Sequence, residues 1–401
     1  MFNDRPEKTK NGPSTTIYNH SMNVDQLVFE NGAWSGFDQL KRHASDYQLL
    51  LVFAEKSLLQ HPEVVPALQV VFPSAKIASV STAGEVYNKQ SHDNTAVCIA
   101  LYFEHTQLEI ANDNISSFNH DSGALGKSLA SRLPVENLSH VLVLSDGHIV
   151  NGSDLIGGII QVLGTDIPVS GGMAGDGNQF SQTLSGLNNE IAPGNVILIG
   201  FYGSRFRVGI SVQRGFSFFG PERTVTKSEK NVLYEIDGEN ALELYKRYLG
   251  PFADELPSSA LLFPIAILNE SETEPLVRTI LSIDETKGSM TFAGNLPEGS
   301  RIRLMRSNLN QLIEKAKTGG QEAAGRFSRP PALALVMNCV GRKTILQSRK
   351  NEEIEELANV FDSHTLVAGF YTYGEFSSWE NPALVCDLHN QTVVVTVMDE
   401  I

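Results

Sequence analysis

The sequence predicts an α/β (α+β) protein with mixed, largely antiparallel sheets covered by helices, on three observations. STAGEV (Ser81 to Val86), GGMAGDG (Gly171 to Gly177) and FYTYGEF (Phe370 to Phe376) share one pattern, an apolar approach followed by a glycine and an acid. An apolar run ending near Ala54, Ser145 or Asn338 precedes the motif glycine by 30, 30 and 36 residues. A second apolar run follows each motif, opened by Asn94, Asn195 or Asn390. The unit therefore reads strand, helix, strand, Gly-acid turn, strand, written three times. Self-similarity at this scale marks a duplicated supersecondary unit. It sets Gly84-Glu85, Gly175-Asp176 and Gly374-Glu375 at equivalent strand ends, where binding sites gather.

Taken in order, residues 1 to about 22 are polar and read as a loose tail. A helix is expected within Gly36 to Tyr47, so residues 1–44 form the tail and first helix. LLLVFA, ending at Ala54, is the first strand, and a short helix interrupted by Pro66 follows. A domain over 45–237 holds two units, and a domain over 238–401 holds the third. In the second unit Ser153 is the expected N-cap, Leu155, Ile156, Ile159, Ile160 and Leu163 carry helical spacing, and Gly164 stops the helix. In the third, Ile354, Leu357, Ala358 and Phe361 mark an amphipathic helix with acids on its outer face. Between the second and third units, alternating runs with turn signals such as Pro297-Glu298-Gly299 predict antiparallel sheet. Two helices interrupt it, one over Ala241 to Tyr248 ended by Gly250-Pro251, the other from Leu309 ended by Gly319-Gly320. Asp237 to Glu239 and Gly319 to Pro331 are the linker candidates, with a boundary near residue 237.

At 401 residues the chain is too long for one core. Its net charge of −15 argues against nucleic-acid binding, which needs clustered Lys and Arg. The nearest basic run, Arg306 to Lys317, contains Glu314 and reads as the solvated face of a helix. Three cysteines, Cys98, Cys339 and Cys386, without a Cys-x-x-Cys pair suit reduced thiols in a cytoplasm. No apolar stretch approaches the roughly 18 residues that span a bilayer, and the N-terminus has no signal-peptide core. A cytoplasmic protein without membrane insertion is expected.

At these residues the chain resembles the FIST family. The signatures are STAGE at Ser81, SDG at Ser145 and GGMAGDG at Gly171, then ALELYKRYLG at Ala241, NCVGRK at Asn338, GFYTYGE at Gly369 and HNQT at His389. They cover roughly residues 45 to 400 in the family order. Val80 stands where the family pattern has a cysteine before STAGE. The resemblance implies a sensory module that binds a small ligand and signals to a sensor histidine kinase or a cyclic-dinucleotide enzyme. It is similar to stand-alone NosP-type proteins, which implies haem b, nitric oxide as ligand and two-component signalling. Homo-oligomerisation is left open.

Haem needs an apolar slot and an axial side chain. His148, after a strand and before Ile149-Val150, and His389, opening the last strand, are the alternative iron ligands, with His148 preferred. Tyr371, Tyr373, Cys339 and His364 come after them. His20, His43, His61, His92, His105, His120 and His140 are expected in solvated, polar settings. Cys386 and His389 at Cys-x-x-His spacing lack the second pair that zinc requires. GGMAGDG lacks the helix a dinucleotide fingerprint must open. The haem-free alternative is a sensor of an amino acid or similar small cation, bound at Gly84, Glu85, Gly175, Asp176, Tyr371, Tyr373, Gly374 and Glu375. Against it stands the plainer expectation that each of the three acids accepts hydrogen bonds from turn N–H groups beside a glycine of special backbone geometry. A third reading, hydrolysis with Ser81 or Cys339 as nucleophile and His364 or His389 as base, lacks a nucleophile elbow.

Overall fold

The computed structural model describes residues 21–268, 275–380 and 384–401. The expected tail, with His20, lies outside the described residues except for Ser21 and Met22.

Each repeated unit builds the same four-stranded core. In the first, Leu49–Ala54 runs parallel to Lys76–Ser81 on one side and antiparallel to Ala96–Tyr102 on the other, and Asn23–Glu30 pairs beyond the latter. The second repeats this with Leu138–Ser145 between Val169–Met173 and Asn195–Tyr202, and Gln107–Asn114 outermost. The third uses Leu333–Cys339 between Leu366–Thr372 and Val393–Glu400, with Phe206–Gln213 outermost. The central strands are apolar at successive positions because both faces are covered. One face of each sheet enters a core shared by all units, where Phe53 stacks on Phe370 at 4.4 Å and Leu144 and Met337 join them. Helices cover the other faces, Gly152–Leu163 in the second unit and Lys350–Ala358 in the third.

The hairpin after each Gly-acid motif leaves its own sheet. Glu85–Tyr87 and Gln90–His92 extend the third unit's sheet at Leu366–Thr372. Ser185–Leu187 and Glu190–Ala192 extend the first at Lys76–Ser81. Glu375–Glu380 and Leu384–His389 extend the second at Val169–Met173. The three units are thus joined in a closed cycle, and each covers a neighbour's exposed sheet edge.

The region between the second and third units is an insertion within the third. It leaves after Phe206–Gln213, forms among the described residues an eight-stranded antiparallel sheet between Phe216 and Ser307, and returns into helix Leu309–Ala324. The expected boundary near residue 237 falls inside this sheet, since Asp237-Gly238 is a left-handed turn following Val232–Ile236.

Several local expectations are corrected. Gly36 to Tyr47 holds only the short 3-10 turns Phe37–Gln39 and Ala44–Asp46. Residues 1–44 also contain the strand Asn23–Glu30, whose Val24, Leu27 and Phe29 are buried. The second-unit helix is capped by Asn151, whose side chain accepts from the Asp154 N–H, not by Ser153. Helix Leu309–Ala324 runs through Gly319-Gly320 because the bare glycines let Gln213, Leu357 and Phe361 pack closely. Glu353, expected outside, is fully buried against Arg342.

Gly369 offers a test of the parallel strand pairing. A Cβ there would overlap the Val336 carbonyl in the neighbouring strand. Gly369→Ala should lower stability by about 1–3 kcal/mol, read from the shift of the denaturant midpoint.

Candidate functional site

The three Gly-acid motifs meet at one end of the shared core and close into a ring of backbone hydrogen bonds. Ala83 N–H donates to the Tyr371 carbonyl at 2.9 Å and Tyr371 N–H to that of Gly84 at 2.8 Å. Gly175 N–H donates to Ser81 at 2.8 Å and Gly177 N–H to Thr82 at 3.2 Å. Met173 N–H donates to Gly374 at 2.8 Å and Tyr373 N–H to Met173 at 3.3 Å. Gly84, Gly175 and Gly374 therefore occupy equivalent strand ends.

Their acids fall into two classes. Glu85 and Glu375 are fully buried and bonded alike. Thr82 and Thr95 hydroxyls donate to the two oxygens of Glu85, the latter at 2.6 Å. Thr372 and Thr392 hydroxyls donate to Glu375 at 2.5 and 2.8 Å. Each carboxyl thus ties the start of its hairpin to the start of its unit's last strand. Burial pushes both up to about 7, against the lowering effect of the threonine bonds. Asp176 differs. It accepts from the Ser181 N–H and hydroxyl at 3.1 and 2.9 Å, from Gln182 N–H at 3.0 Å, from the Tyr373 hydroxyl, and from the Lys56 amine at 3.1 Å. Burial would raise its carboxyl, but the donors, Gln182 N–H foremost, outweigh that and hold it well below the usual range. All three acids spend their acceptor capacity inside the protein, Glu85 and Glu375 mainly on threonine hydroxyls and only Asp176 largely on nearby N–H groups. That arrangement does not favour a cation at the Gly-acid pairs.

The cyclic exchange creates three similar junctions, each between one unit's turn after its first strand and the next unit's visiting loop. At the first, Lys56 meets Asp176, Gln179 and Ser181, and Phe180 stacks on Tyr373 at 4.6 Å, so the loop fills the space. At the second, the insertion supplies the filler. Buried Arg278 donates to the Leu388 carbonyl at 2.8 Å, and Asn295 binds Asn151 and Asp154 at the start of the second-unit helix.

The third junction is open. Ala83, Asp93, Asn94, Gly177, Asn178, Lys343, Thr344, Gln347 and Lys350 line a cleft of about 660 Å³, drawing on all three units. Lys343 is its most buried charge. Its amine donates to the Ala83 carbonyl at 2.7 Å and to Asp93, and lies 4.8 Å from the centre of the Tyr371 ring. Desolvation lowers its pKa from the ordinary lysine value, although Asp93 opposes this. Gly84 is favoured here by its φ of 127° and because a Cβ would lie 2.9 Å from the His92 carbonyl oxygen. Next to Lys343 in sequence, Arg342 turns inward and forms a buried ion pair with Glu353 at 2.5 Å. Another bond, 2.8 Å to the Leu312 carbonyl, locks the cleft wall to the third-unit helices.

Comparison with known proteins identifies the architecture. The FIST N domain model matches residues 48–239 and the FIST C domain model residues 241–378. This chain belongs to the FIST family. FIST domains are small-ligand sensing domains of signalling proteins. An uncharacterized protein of Methanocaldococcus jannaschii is 21% identical over 359 residues, which is 81% of this chain and 66% of that protein, so the chain spans just under two thirds of that relative. A solved cyanuric acid hydrolase covers 49% of this chain and 73% of its own at 12% identity and a TM-score of 0.31. Another, from A. caulinodans, covers 95% of this chain and 100% of its own at 7% identity and a TM-score of 0.40.

The alternative iron-ligand candidates of the FIST reading, His389 and His148, lie in different settings. His389 is fully buried, and its Nε2 donates to the Ser377 carbonyl at 3.3 Å. Burial first, then the Arg214 and Arg278 charges, keeps its pKa well below the ordinary imidazole value. His148 is exposed on the turn after Ser145, with its backbone N–H bonded to Asp146. The cleft carries no imidazole, phenol or thiol and is lined by lysine, aspartate, asparagine, glutamine and threonine side chains beside Ala83 and Gly177, so it offers none of the expected axial ligands for haem. Among the described residues no group of three His, Cys, Asp or Glu could hold a metal ion. The Ser81 hydroxyl accepts the Leu184 N–H, and burial pushes the Cys339 thiol up, away from the thiolate form. No helix among the described residues is long and apolar enough to cross a membrane. One solvated assignment is corrected: His140 is buried, Nδ1 donating to the Pro168 carbonyl at 2.9 Å, and desolvation pulls its pKa down to about 4.

Sequence reasoning missed Lys343, Lys350 and Asp93. A signal was present, since a basic residue follows the first strand of every unit: Lys56 after Ala54, His148 after Ser145 and Lys343 after Cys339.

The buried carboxyls predict a pH dependence. With the folded pKa raised from 4.5 to about 7, Glu375 keeps its proton where the unfolded chain has lost it, so stability present below pH 4.5 is lost as pH rises through 7. Glu375→Gln removes this term. Between pH 4.5 and 8 its stability relative to the parent should improve by on the order of 3 kcal/mol, measured by denaturation across pH.

Proposed function

We propose that this protein is a small-ligand sensor whose ligand binds in the open cleft at the third junction, and that it binds this ligand rather than converting it. The observation that carries the reading is the contrast among the junctions. Two are filled by the protein's own side chains, while the third leaves polar space beside a partly desolvated lysine. Pockets with a few convergent polar groups at an interface between structural units are the usual place for a ligand. Residues of all three units line it, so a ligand that contacts them can favour one arrangement of the units over another by its differential affinity. The surface altered in this way would be read by a partner, a sensor histidine kinase or a cyclic-dinucleotide enzyme in the cytoplasm.

Haem-based nitric oxide sensing is the reading that the NosP resemblance carries. The polar cleft and the internally bonded His389 favour the haem-free reading. A zwitterionic amino acid remains a fitting ligand, but with its carboxylate on the lysines rather than its ammonium on the Gly-acid turns.

Two titrations decide between them. Among the standard amino acids tested by thermal shift, at least one should raise the melting temperature of the parent and fail to do so for Lys343→Met. Haemin should give no Soret band saturating at one equivalent. Saturation at one equivalent that is indifferent to Lys343→Met but lost in His148→Ala or His389→Ala would replace the cleft reading with the haem reading.

A further inference from the structure

Asp93 sits on the visiting turn between Gln90–His92 and Ala96–Tyr102, and its carboxylate bridges two lysines of the third unit. One oxygen takes the Lys343 amine and the other the Lys350 amine, the latter at 2.7 Å. Lys343 is 12% exposed, whereas Asp93 remains 49% exposed at the cleft mouth. The buried partner is therefore the fixed one, and the carboxylate is the removable one.

The charge around the cleft is inverted relative to the molecule. In a chain of net charge −15, the charged residues lining the cleft are two lysines and one aspartate. Asn94, Asn178, Thr344 and Gln347 add neutral side chains that can donate. Gln347 is held at φ 50° and ψ −113°, a conformation costing of order 1–3 kcal/mol, and such strain clusters at ligand clamps.

We propose that the cleft binds a small oxyanion, the carboxylate or phosphate group of a metabolite, and that Asp93 is an internal stand-in which this anion displaces from Lys343 and Lys350. The proposal rests on the cleft being the ligand site. A tethered carboxylate competes at the high effective concentration its turn imposes, which weakens apparent ligand affinity. Displacement costs little solvation because Asp93 is already half exposed. Without Asp93 the largely buried Lys343 amine would keep only the Ala83 carbonyl and the Tyr371 ring, which is unfavourable for its charge, so release of the turn is favoured when an anion replaces the carboxylate. Release of Asp93 frees the turn between a hairpin that completes the third unit's sheet and a central strand of the first. Ligand occupancy is thereby transmitted from one unit to another.

The sign of one substitution separates displacement from simple addition. If Asp93 competes, Asp93→Asn should bind inorganic phosphate or acetate at least tenfold more tightly than the parent in equilibrium dialysis. Its melting temperature should fall without anion and recover with it. If Asp93 instead helps to hold the ligand, the variant binds no more tightly or more weakly, and displacement is overturned. Lys343→Met and Lys350→Met report on the cleft itself. If they lose binding while Asp93→Asn gains none, the site stands and the stand-in role falls. If they bind like the parent, or if neither parent nor Asp93→Asn binds either anion at millimolar concentration, the oxyanion site falls as well. Preference for phosphate over acetate assigns a phosphorylated ligand, and the reverse a carboxylate.

Discussion

The structure depends on the backbone ring in which the three Gly-acid motifs are bonded to one another. Each motif is followed by a hairpin that completes a neighbouring unit's sheet, so no unit satisfies its own edge and none closes alone. Glycine recurs at the ring because backbones approach closely. At Gly175 a Cβ would lie 2.8 Å from the Ala83 nitrogen, and at Gly374 it would lie 2.8 Å from the Leu388 side chain. Glu85 and Glu375 reinforce the closure, each accepting two threonine hydroxyls.

A threefold repeat of one plan would make three equal sites, and the protein has broken that equality with specific side chains. The second unit's long loop packs Asp176, Ser181 and Phe180 into the first junction. The insertion drives Arg278 into the second, where desolvation lowers its pKa to about 10 and backbone carbonyls carry its hydrogen bonds. Only the remaining junction keeps its lysine beside open space. The Arg342–Glu353 pair behind it is shielded from water, and breaking such a pair costs about 3–5 kcal/mol, so the wall carrying Lys343 is stiff. A stiff wall facing an exposed carboxylate on another unit is an arrangement in which a ligand acts on the turn rather than on the wall.

The repeated unit was legible because its signal is local: buried strands appear as apolar runs, and each Gly-acid pair punctuates them. The strand Asn23–Glu30 was missed because polar Asn23, Asp25 and Gln26 interrupt its apolar residues, which bury on both faces, Val24 on one and Leu27 and Phe29 on the other. The continuation of helix Leu309–Ala324 through two glycines was missed because their value lies in what packs against them. His140 was misjudged from the Ser139 and Asn137 beside it, although it lies on a strand whose residues from Val141 on are buried. The three acids looked equivalent in sequence, yet Glu85 and Glu375 meet threonines 10 and 17 residues onward whereas Asp176 meets serine, tyrosine and lysine.

By itself the sequence determined the family, the α/β class, the triplication and the strand-end position of the motifs, all of which follow from residues close together in the chain. The tertiary structure alone decided that the hairpins cross between units, that two junctions are filled, and that Lys343 faces Asp93 across 250 residues. Those outcomes depend on which sheet edge each hairpin finds and which side chains reach each gap, and contacts at such separation leave no periodic trace in the chain that makes them.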